Sequence, residues 1–245
     1  NRIRMEGSTS LEELSRHFKV STATIRRDVK VLEQEQIVVQ TVGGGILYRQ
    51  SGGAPPQGGD QRDLFIEEKI RIAEYCTELV EEHDEIIVGP GSTALIIGRI
   101  LSGIGDRRFR IITNSLELAM ETSEVDNIES VVIGGAVHGR YSVGSAHGSD
   151  YFASCHNMHK LIFSADGVDS EQGITVFDVR FLPLLKRMIS VSSSLILAAD
   201  SSKLGKVLSN KVADLDLVTT VVTDTNAPPE LLSTLGAKGV SVVTV

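Results

Sequence analysis

The stretch Gly89-Pro90-Gly91-Ser92-Thr93 places two glycines and two hydroxyl side chains directly before a segment with a helical pattern. Glycine turns leave backbone N–H groups free, and a helix N-terminus carries a partial positive charge, so this combination can bind a phosphate group. Many ordinary helix starts look the same, because glycine often ends a strand and serine often caps a helix. The turn therefore indicates phosphate binding only if other polar groups converge on it.

Four further polar or glycine-rich turns follow predicted strands in the same way. They are Thr113-Asn114-Ser115, Gly134-Gly135, Asp166-Gly167-Val168-Asp169 and Asp200-Ser201-Ser202-Lys203. Ligands of open α/β sheets bind beyond the carboxyl ends of the strands, so we expect the five turns to line one site. Arg140 follows the glycine pair on a loop, where it is either a second phosphate ligand or a solvated surface arginine.

The elements that must position these turns are short β-branched runs that alternate with helical segments. Strands are predicted at 85–89, 109–114, 129–135, 160–166, 193–200, 217–224 and 240–245, and helices at 64–80, 93–101, 116–123 and 182–190. Apolar strands alternating with helices are typical of a mostly parallel sheet covered on both faces, which is an α/β fold. We expect the helix at 64–80 to pack on the fold or to form a dimer interface.

A different pattern occupies the first 48 residues. Apolar side chains recur at helical spacing in two short segments: Leu11, Leu14 and Phe18, then Ile25, Val29 and Leu32. This spacing predicts two helices that face each other across a tight turn at 18–20. A hairpin over 37–48 with three glycines at its tip follows, which completes the pattern of a winged helix-turn-helix.

The second of these helices leaves a polar and basic set of side chains facing outward. They are Ser21, Thr22, Thr24, Arg26, Arg27 and Lys30. Ser21 can cap the helix, hydroxyls and the helix N-terminus can take phosphates, and an arginine can take a phosphate or a guanine edge. A solvated basic face is the alternative, but the capped helix pair and the wing together favour binding of double-stranded operator DNA.

Charge is divided unevenly along the chain, which has 245 residues and a net charge of −8. Residues 1–50 hold eight basic and six acidic side chains, whereas the rest hold 16 and 26. The basic surface is thus confined to the small domain. Cys76, Cys155 and the six histidines show no metal-binding spacing, and no apolar run could span a membrane. We expect a cytoplasmic protein without metal, cofactor or membrane association.

Two sets of motifs resemble the DeoR family of bacterial transcriptional repressors. VSTATIRRDVKVLE before a GGG turn resembles its DNA-binding domain, and GST, TNS, GG, LAADSSKLG and VVTD, in that order, resemble its effector-sensing domain. The resemblance implies a winged helix-turn-helix at 1–48 with an incomplete first helix, a linker at 49–62, and at 63–245 an α/β domain similar to ribose-5-phosphate isomerase. One helix-turn-helix contacts few base pairs, so we expect a homodimer or homotetramer.

The same resemblance implies a phosphorylated sugar as effector and assigns roles within its site. Gly91, Ser92 and Thr93 would hold phosphate, Asp166 and Asp169 would meet sugar hydroxyls, and Lys186 would meet phosphate or a sugar oxygen. Asp200 and Lys203 would border the pocket. Asn114, Ser115, Gly134, Gly135 and Arg140 complete the set of expected effector-binding residues.

The chain departs from the patterns of the family and of the isomerase at five positions. Gln40 and Val42 replace the basic residues that usually precede the wing glycines, and Gly89 stands where many members carry Asp. Leu182 and Leu185 occupy positions where relatives carry an acid, and an isomerase needs a carboxylate base. These leucines favour a repressor over the alternative, a sugar-phosphate isomerase-like enzyme with a regulatory DNA-binding domain. A metabolite-binding module without DNA function conflicts with the basic face of residues 22–30.

Overall fold

The computed structural model describes residues 8–34, 38–40, 45–48, 65–138, 142–143, 151–152 and 158–245. The chain forms two compact units, Asn1–Gly59 and Asp60–Val245, and each is considered by itself. Several predictions lie outside the described residues: the linker at 49–62, the wing tip with Val42, Gly43 and Gly44, Arg140, and Cys155.

The small unit contains two helices and a three-stranded antiparallel sheet. Its elements are β1 (Ser8–Ser10), α1 (Leu11–Phe18), α2 (Thr22–Gln34), β2 (Val38–Gln40) and β3 (Gly45–Tyr48). The predicted helix pair and hairpin are confirmed, with β3 between β1 and β2 in the sheet. The strand β1 was not predicted, because its sequence Ser-Thr-Ser has no apolar alternation and only pairing with β3 makes it a strand.

The core of the small unit is made by the apolar faces of α1 and α2. Leu11 and Leu14 pack with Ile25 and Val29, all four of them buried. The prediction for Phe18 was wrong, because its side chain is 55 % exposed. Phe18 is the last residue of α1, where the chain turns away, and its ring lies edge-on to His17 instead of against α2.

The large unit alternates strands and helices along most of its length. Its helices are α3 (Ile66–Glu78), α4 (Ser92–Ser102), α5 (Leu116–Thr122), α6 (Leu182–Val191) and α7 (Pro229–Ala237). Its strands are β4 (Glu85–Val88), β5 (Phe109–Thr113), β6 (Ile128–Val132), β7 (Val137–His138), β8 (Ser142–Val143), β9 (Met158–Phe163), β10 (Gly167–Asp169), β11 (Gly173–Val176), β12 (Ser192–Ala198), β13 (Asn210–Ala213), β14 (Thr220–Thr223) and β15 (Ser241–Thr244).

Seven of these strands form one sheet in the order β15-β14-β12-β9-β4-β5-β6. All six pairings are parallel, so the predicted α/β fold class is confirmed. Both faces of the sheet are covered: Ile86 and Val88 belong to an apolar cluster shared with α3, α4 and α5, while Ile87 belongs to one shared with α6 and α7. This alternation within one strand is expected of a sheet buried on both sides.

A second, smaller sheet was not predicted from the sequence. Its strands β10, β11 and β13 are antiparallel and stand beside the end of β9. Each has only three or four residues, too few to show a clear alternation. The hairpin turn at 170–172 ends at Gly173, the first residue of β11. Its φ of +78° suits glycine, and a Cβ there would lie 2.3 Å from the Ala213 carbonyl oxygen. The helix α7 was also missed.

Candidate functional site

The helix α2 presents the expected polar face to solvent. Ile25 and Val29 point into the small core, whereas Ser21, Thr22, Thr24, Arg26, Arg27 and Lys30 are all exposed. The Ser21 hydroxyl oxygen accepts a hydrogen bond from the Thr24 backbone N–H at 3.2 Å, so it caps the helix. The Thr24 hydroxyl shares a hydrogen bond with the Ser21 hydroxyl at 2.9 Å. The exposed Thr22 hydroxyl and the three cations are placed to meet phosphates and base edges, which is the arrangement that a helix in the major groove requires.

The second candidate site lies at the carboxyl edge of the seven-stranded sheet, where β4 passes into α4. Gly91 precedes α4 with a φ of +128°, a conformation that side chains disfavour, and its carbonyl accepts from Leu95 N–H at 3.0 Å. A Cβ on Gly91 would lie 3.8 Å from Cβ of Ser164, so the turn stands directly beside the end of β9. Ser92 is half-buried and Thr93 is buried.

Three of the predicted charged residues meet at the same edge, one strand further along. Lys203 is buried, and the carboxylates of Asp200 and Asp166 are close enough to act on its charge. Burial lowers the pKa of the Lys203 ammonium more than these two acids raise it, so the pKa lies below its ordinary value. Asp200 is itself buried and accepts from Ser202 N–H at 3.1 Å. Asp166 accepts from Phe177 N–H at 2.9 Å.

The neighbouring strands supply the other predicted polar ends. Asn114 and Ser115 follow β5, next to β4, and both are buried. The Ser115 hydroxyl caps α5 by accepting from Leu118 N–H at 3.3 Å. Gly134 and Gly135 follow β6, the outermost strand on that side, and are exposed. With strands about 4.8 Å apart, this glycine pair lies roughly 10 Å from the end of β4.

The carboxylate of one predicted residue, Asp169, is used in a different place. Asp169 lies at the far end of β10, about 10 Å along the strand from Asp166. Its carboxylate accepts from the backbone N–H groups of Gln172 and Glu171, which lower its pKa, and thus closes its own hairpin turn. Lys186 lies on the second turn of α6 with its side chain exposed.

Sequence reasoning missed three buried charged residues, which are Lys69, Asp84 and Asp224. Asp224 follows β14 and accepts hydrogen bonds from Ser201 N–H at 2.6 Å and Asn226 N–H at 3.0 Å, so it anchors the turn that carries Lys203. Its position at a strand end, in the motif VVTD, was a usable signal. Lys69 in the first turn of α3 is only 2 % exposed. No signal marked it, because a lysine in a helix with many charges normally lies at the surface.

The two leucines at the positions of the expected acid pack with other apolar side chains. Leu185 is buried in the cluster that α6 shares with the sheet, and Leu182 packs against that cluster. Among the described residues, no three His, Cys, Asp or Glu side chains are grouped as metal ligands would be. None of the described helices has the length and apolar character needed to cross a membrane.

Comparison with known proteins agrees with this two-unit architecture. Residues 64–225 match the model of the DeoR C terminal sensor domain, and residues 1–51 match that of the DeoR-like helix-turn-helix domain. A putative aga operon transcriptional repressor of Escherichia coli O157:H7 is 28 % identical over all of this chain and 90 % of the relative. The uncharacterised HTH-type transcriptional regulator YulB of Bacillus subtilis is 30 % identical over 99 % and 93 % of the two chains.

Solved structures resemble this chain only at the level of the fold. A D-ribose-5-phosphate isomerase in complex with phospho-erythronic acid shares 17 % identity, with a TM-score of 0.43 over 57 % of this chain and 54 % of that one. The eIF2B beta subunit of Chaetomium thermophilum shares 15 % identity, with a TM-score of 0.46 over 71 % and 54 %. Both TM-scores lie below 0.5, so neither likeness informs the function of this chain.

The exposed basic helix and the matched domains define a DNA-binding transcriptional regulator rather than an enzyme. The chain belongs to the DeoR family of transcriptional regulators. The resemblance noted in the sequence is therefore confirmed, as is the preference for a repressor over an isomerase.

Proposed function

We propose that this repressor controls a carbohydrate catabolic operon and that a phosphorylated sugar modulates its affinity for the operator. The observation that carries the proposal is the meeting of Gly91, Asp166, Asp200 and Lys203 at one edge of a sheet that matches a sensor domain. The aga operon repressor, a relative along its whole length, is named for the regulation of an operon.

On the DNA side, α2 lies in the major groove. Thr22 and Thr24 contact phosphates at the helix N-terminus, and Arg26, Arg27 and Lys30 contact base edges or the backbone. Ser21 holds the helix start in place through its hydrogen bond to Thr24 N–H. The winged hairpin follows α2 and adds backbone contacts of its own.

On the effector side, the turn at 91–93 donates backbone N–H groups to the phosphate, and the helix dipole of α4 favours its negative charge. Asp166 and Asp200 accept hydrogen bonds from sugar hydroxyls, and Lys203 between them orients both carboxylates. Asn114 and Ser115 border the phosphate on the β5 side. Lys186 on α6 is a second cation within the same unit, and it meets the outer part of the ligand.

The two functions are coupled through assembly. A homodimer or homotetramer places two α2 helices on half-sites one or more helical turns apart. The effector changes operator affinity because it binds the DNA-competent and the DNA-incompetent arrangement with different affinity.

Fluorescence anisotropy with selected DNA tests both halves of the proposal. An operator is first isolated from random duplexes by repeated rounds of binding and sequencing. The titration is then repeated with millimolar sugar phosphates, each paired with the unphosphorylated sugar. We expect at least one phosphate ester to change operator affinity by about tenfold or more, within the usual range of allosteric coupling, and its unphosphorylated partner to have no effect. Equal effects of both members of each pair would refute the phosphate site and leave DNA binding standing.

A further inference from the structure

The N-terminal turn of α3 carries an apolar surface that nothing among the described residues covers. Phe65, Ile66 and Ile70 have exposed fractions of 44 %, 36 % and 39 %. They lie at i, i+1 and i+5 on the outer side of a helix whose inner side, with Ile72 and Ala73, packs on the sheet. We call the three residues the α3 patch. Contiguous exposed apolar side chains with charged neighbours are a common mark of protein association.

The backbone adds a second sign at the same place. Phe65 precedes α3 in the left-handed conformation, with φ 58° and ψ 38°. An aromatic residue adopts this conformation only at a cost, and such strain is kept where the surrounding contacts require it. Phe65 nonetheless stays largely exposed, so the described residues of a single copy leave much of its ring without a packing partner.

Charges beside the α3 patch fit a second copy of the same helix. Glu67 and Arg71 flank Ile70 and are exposed, and neither takes part in an ion pair within the described residues. If two α3 helices cross antiparallel about a two-fold axis near Lys69, residue 67 of one copy lies opposite residue 71 of the other. Glu67 then meets Arg71 of the second copy twice, while the apolar residues fill the centre. The same surface thus provides both partners of each ion pair, as association of two identical copies requires.

The position of α3 in the chain suits this role. Sixteen residues separate Tyr48, the last of β3, from Phe65. Fully extended, such a segment spans at most about 55 Å. Two DNA-binding units attached to a pair of α3 helices can therefore reach half-sites about 34–36 Å apart.

We infer that the α3 patch is the surface through which two copies of this repressor associate, with Glu67 and Arg71 pairing across the two-fold axis. The inference rests on the proposed function in one respect, because operator binding by that function requires two DNA-binding units. Other exposed apolar side chains of the large unit, among them Phe177 and Met120, lie outside the α3 patch.

Analytical ultracentrifugation of the full chain at micromolar concentration tests the surface. Ile70→Glu places a charge at the centre of the patch, and we expect it to weaken association at least about thirtyfold, as for a central interface residue. Met120→Glu is the matched control, because Met120 is 72 % exposed on α5, and association should be unchanged. Far-UV circular dichroism confirms that each variant is folded.

A charge swap gives the sharper result. Glu67→Arg and Arg71→Glu should each weaken association by like-charge contact, and the double variant should restore it. A native chain that sediments as a monomer, an Ile70→Glu variant that associates normally, or a double variant no better than either single one would overturn the inference. Operator binding is measured in parallel. If the native chain associates through α3 but binds no selected DNA, the proposed function fails while the interface stands.

Discussion

Removal of the Asp224 carboxylate should destabilise the large unit and release the turn that carries Lys203. Asp224 is completely buried, and its two oxygens accept the backbone N–H groups of Ser201 and Asn226. A hydrogen bond to a charged group contributes about 1.5–3 kcal/mol, and an N–H left buried without a partner costs a similar amount. We therefore expect Asp224→Ala to lower the free energy of unfolding by about 3–5 kcal/mol.

The same carboxylate predicts a dependence of stability on pH. Burial acts to raise the pKa of Asp224, but the hydrogen bonds from Ser201 and Asn226 outweigh it and hold the pKa below its ordinary value. Because the folded-state pKa lies below the unfolded value of about 3.9, this contribution is fully present above that pH and is lost as the pH falls through the folded-state pKa. Asp224→Asn has no carboxylate to protonate at this position, so its stability should not show this decrease as the pH falls.

Urea denaturation followed by circular dichroism measures both effects. Asp224→Asn keeps one acceptor oxygen, so its loss should be smaller than that of the alanine variant. Asp216→Asn serves as control, because Asp216 is exposed and its replacement should change stability by no more than about 0.5 kcal/mol. The reasoning is wrong if the free energy of unfolding of Asp224→Ala differs from that of the native chain by less than about 1 kcal/mol, because one such hydrogen bond contributes more than this.

Three other outcomes are expected. Arg27→Ala should weaken operator binding by about 1–3 kcal/mol in a gel-shift titration if Arg27 contacts a base, whereas Arg108→Ala, at an exposed arginine of the large unit outside the α3 patch, should leave operator binding unchanged at the same salt concentration. Lys203→Met and Lys186→Ala should each abolish the effector response at millimolar sugar phosphate while operator binding survives, and a variant that still responds normally would remove that lysine from the site. Residues 63–245 expressed alone should sediment as a dimer or larger, and a monomer at micromolar concentration would contradict the assignment of assembly to the large unit.

The main strands and the paired helices were predictable because their signals are local. Ile25 and Val29 repeat with the period of a helix, and the runs at β4, β9 and β12 are long, apolar and β-branched. The same local patterns identified the outward residues of α2. Elements of two to four residues, such as β1 and β10, carry too few side chains to establish a period, so their pairing partners decide their structure.

The candidate effector site was predictable in part. Parallel pairing alone brings the carboxyl ends of the strands to one edge of the sheet. Gly91, Asp166, Asp200 and Lys203 follow strands in the structure, as the sequence predicted. The family resemblance implied that Asp169 meets the ligand together with Asp166, which lies three positions earlier in the chain. In the structure a strand runs between the two, and the Asp169 carboxylate closes the next turn.

By itself, the sequence determined the alternation of elements, the polar strand ends and the basic face of α2, since each follows from side-chain type and spacing along a few residues. Only the tertiary structure decided which charges are buried. Neither Lys69 nor Asp224 is marked as buried by its sequence neighbours. Lys69 is buried because α3 packs against the sheet, and Asp224 is buried because the turn at 201–203 packs against it. Burial of a side chain depends on which distant part of the chain packs against it, and this cannot be read from the spacing of neighbouring residues.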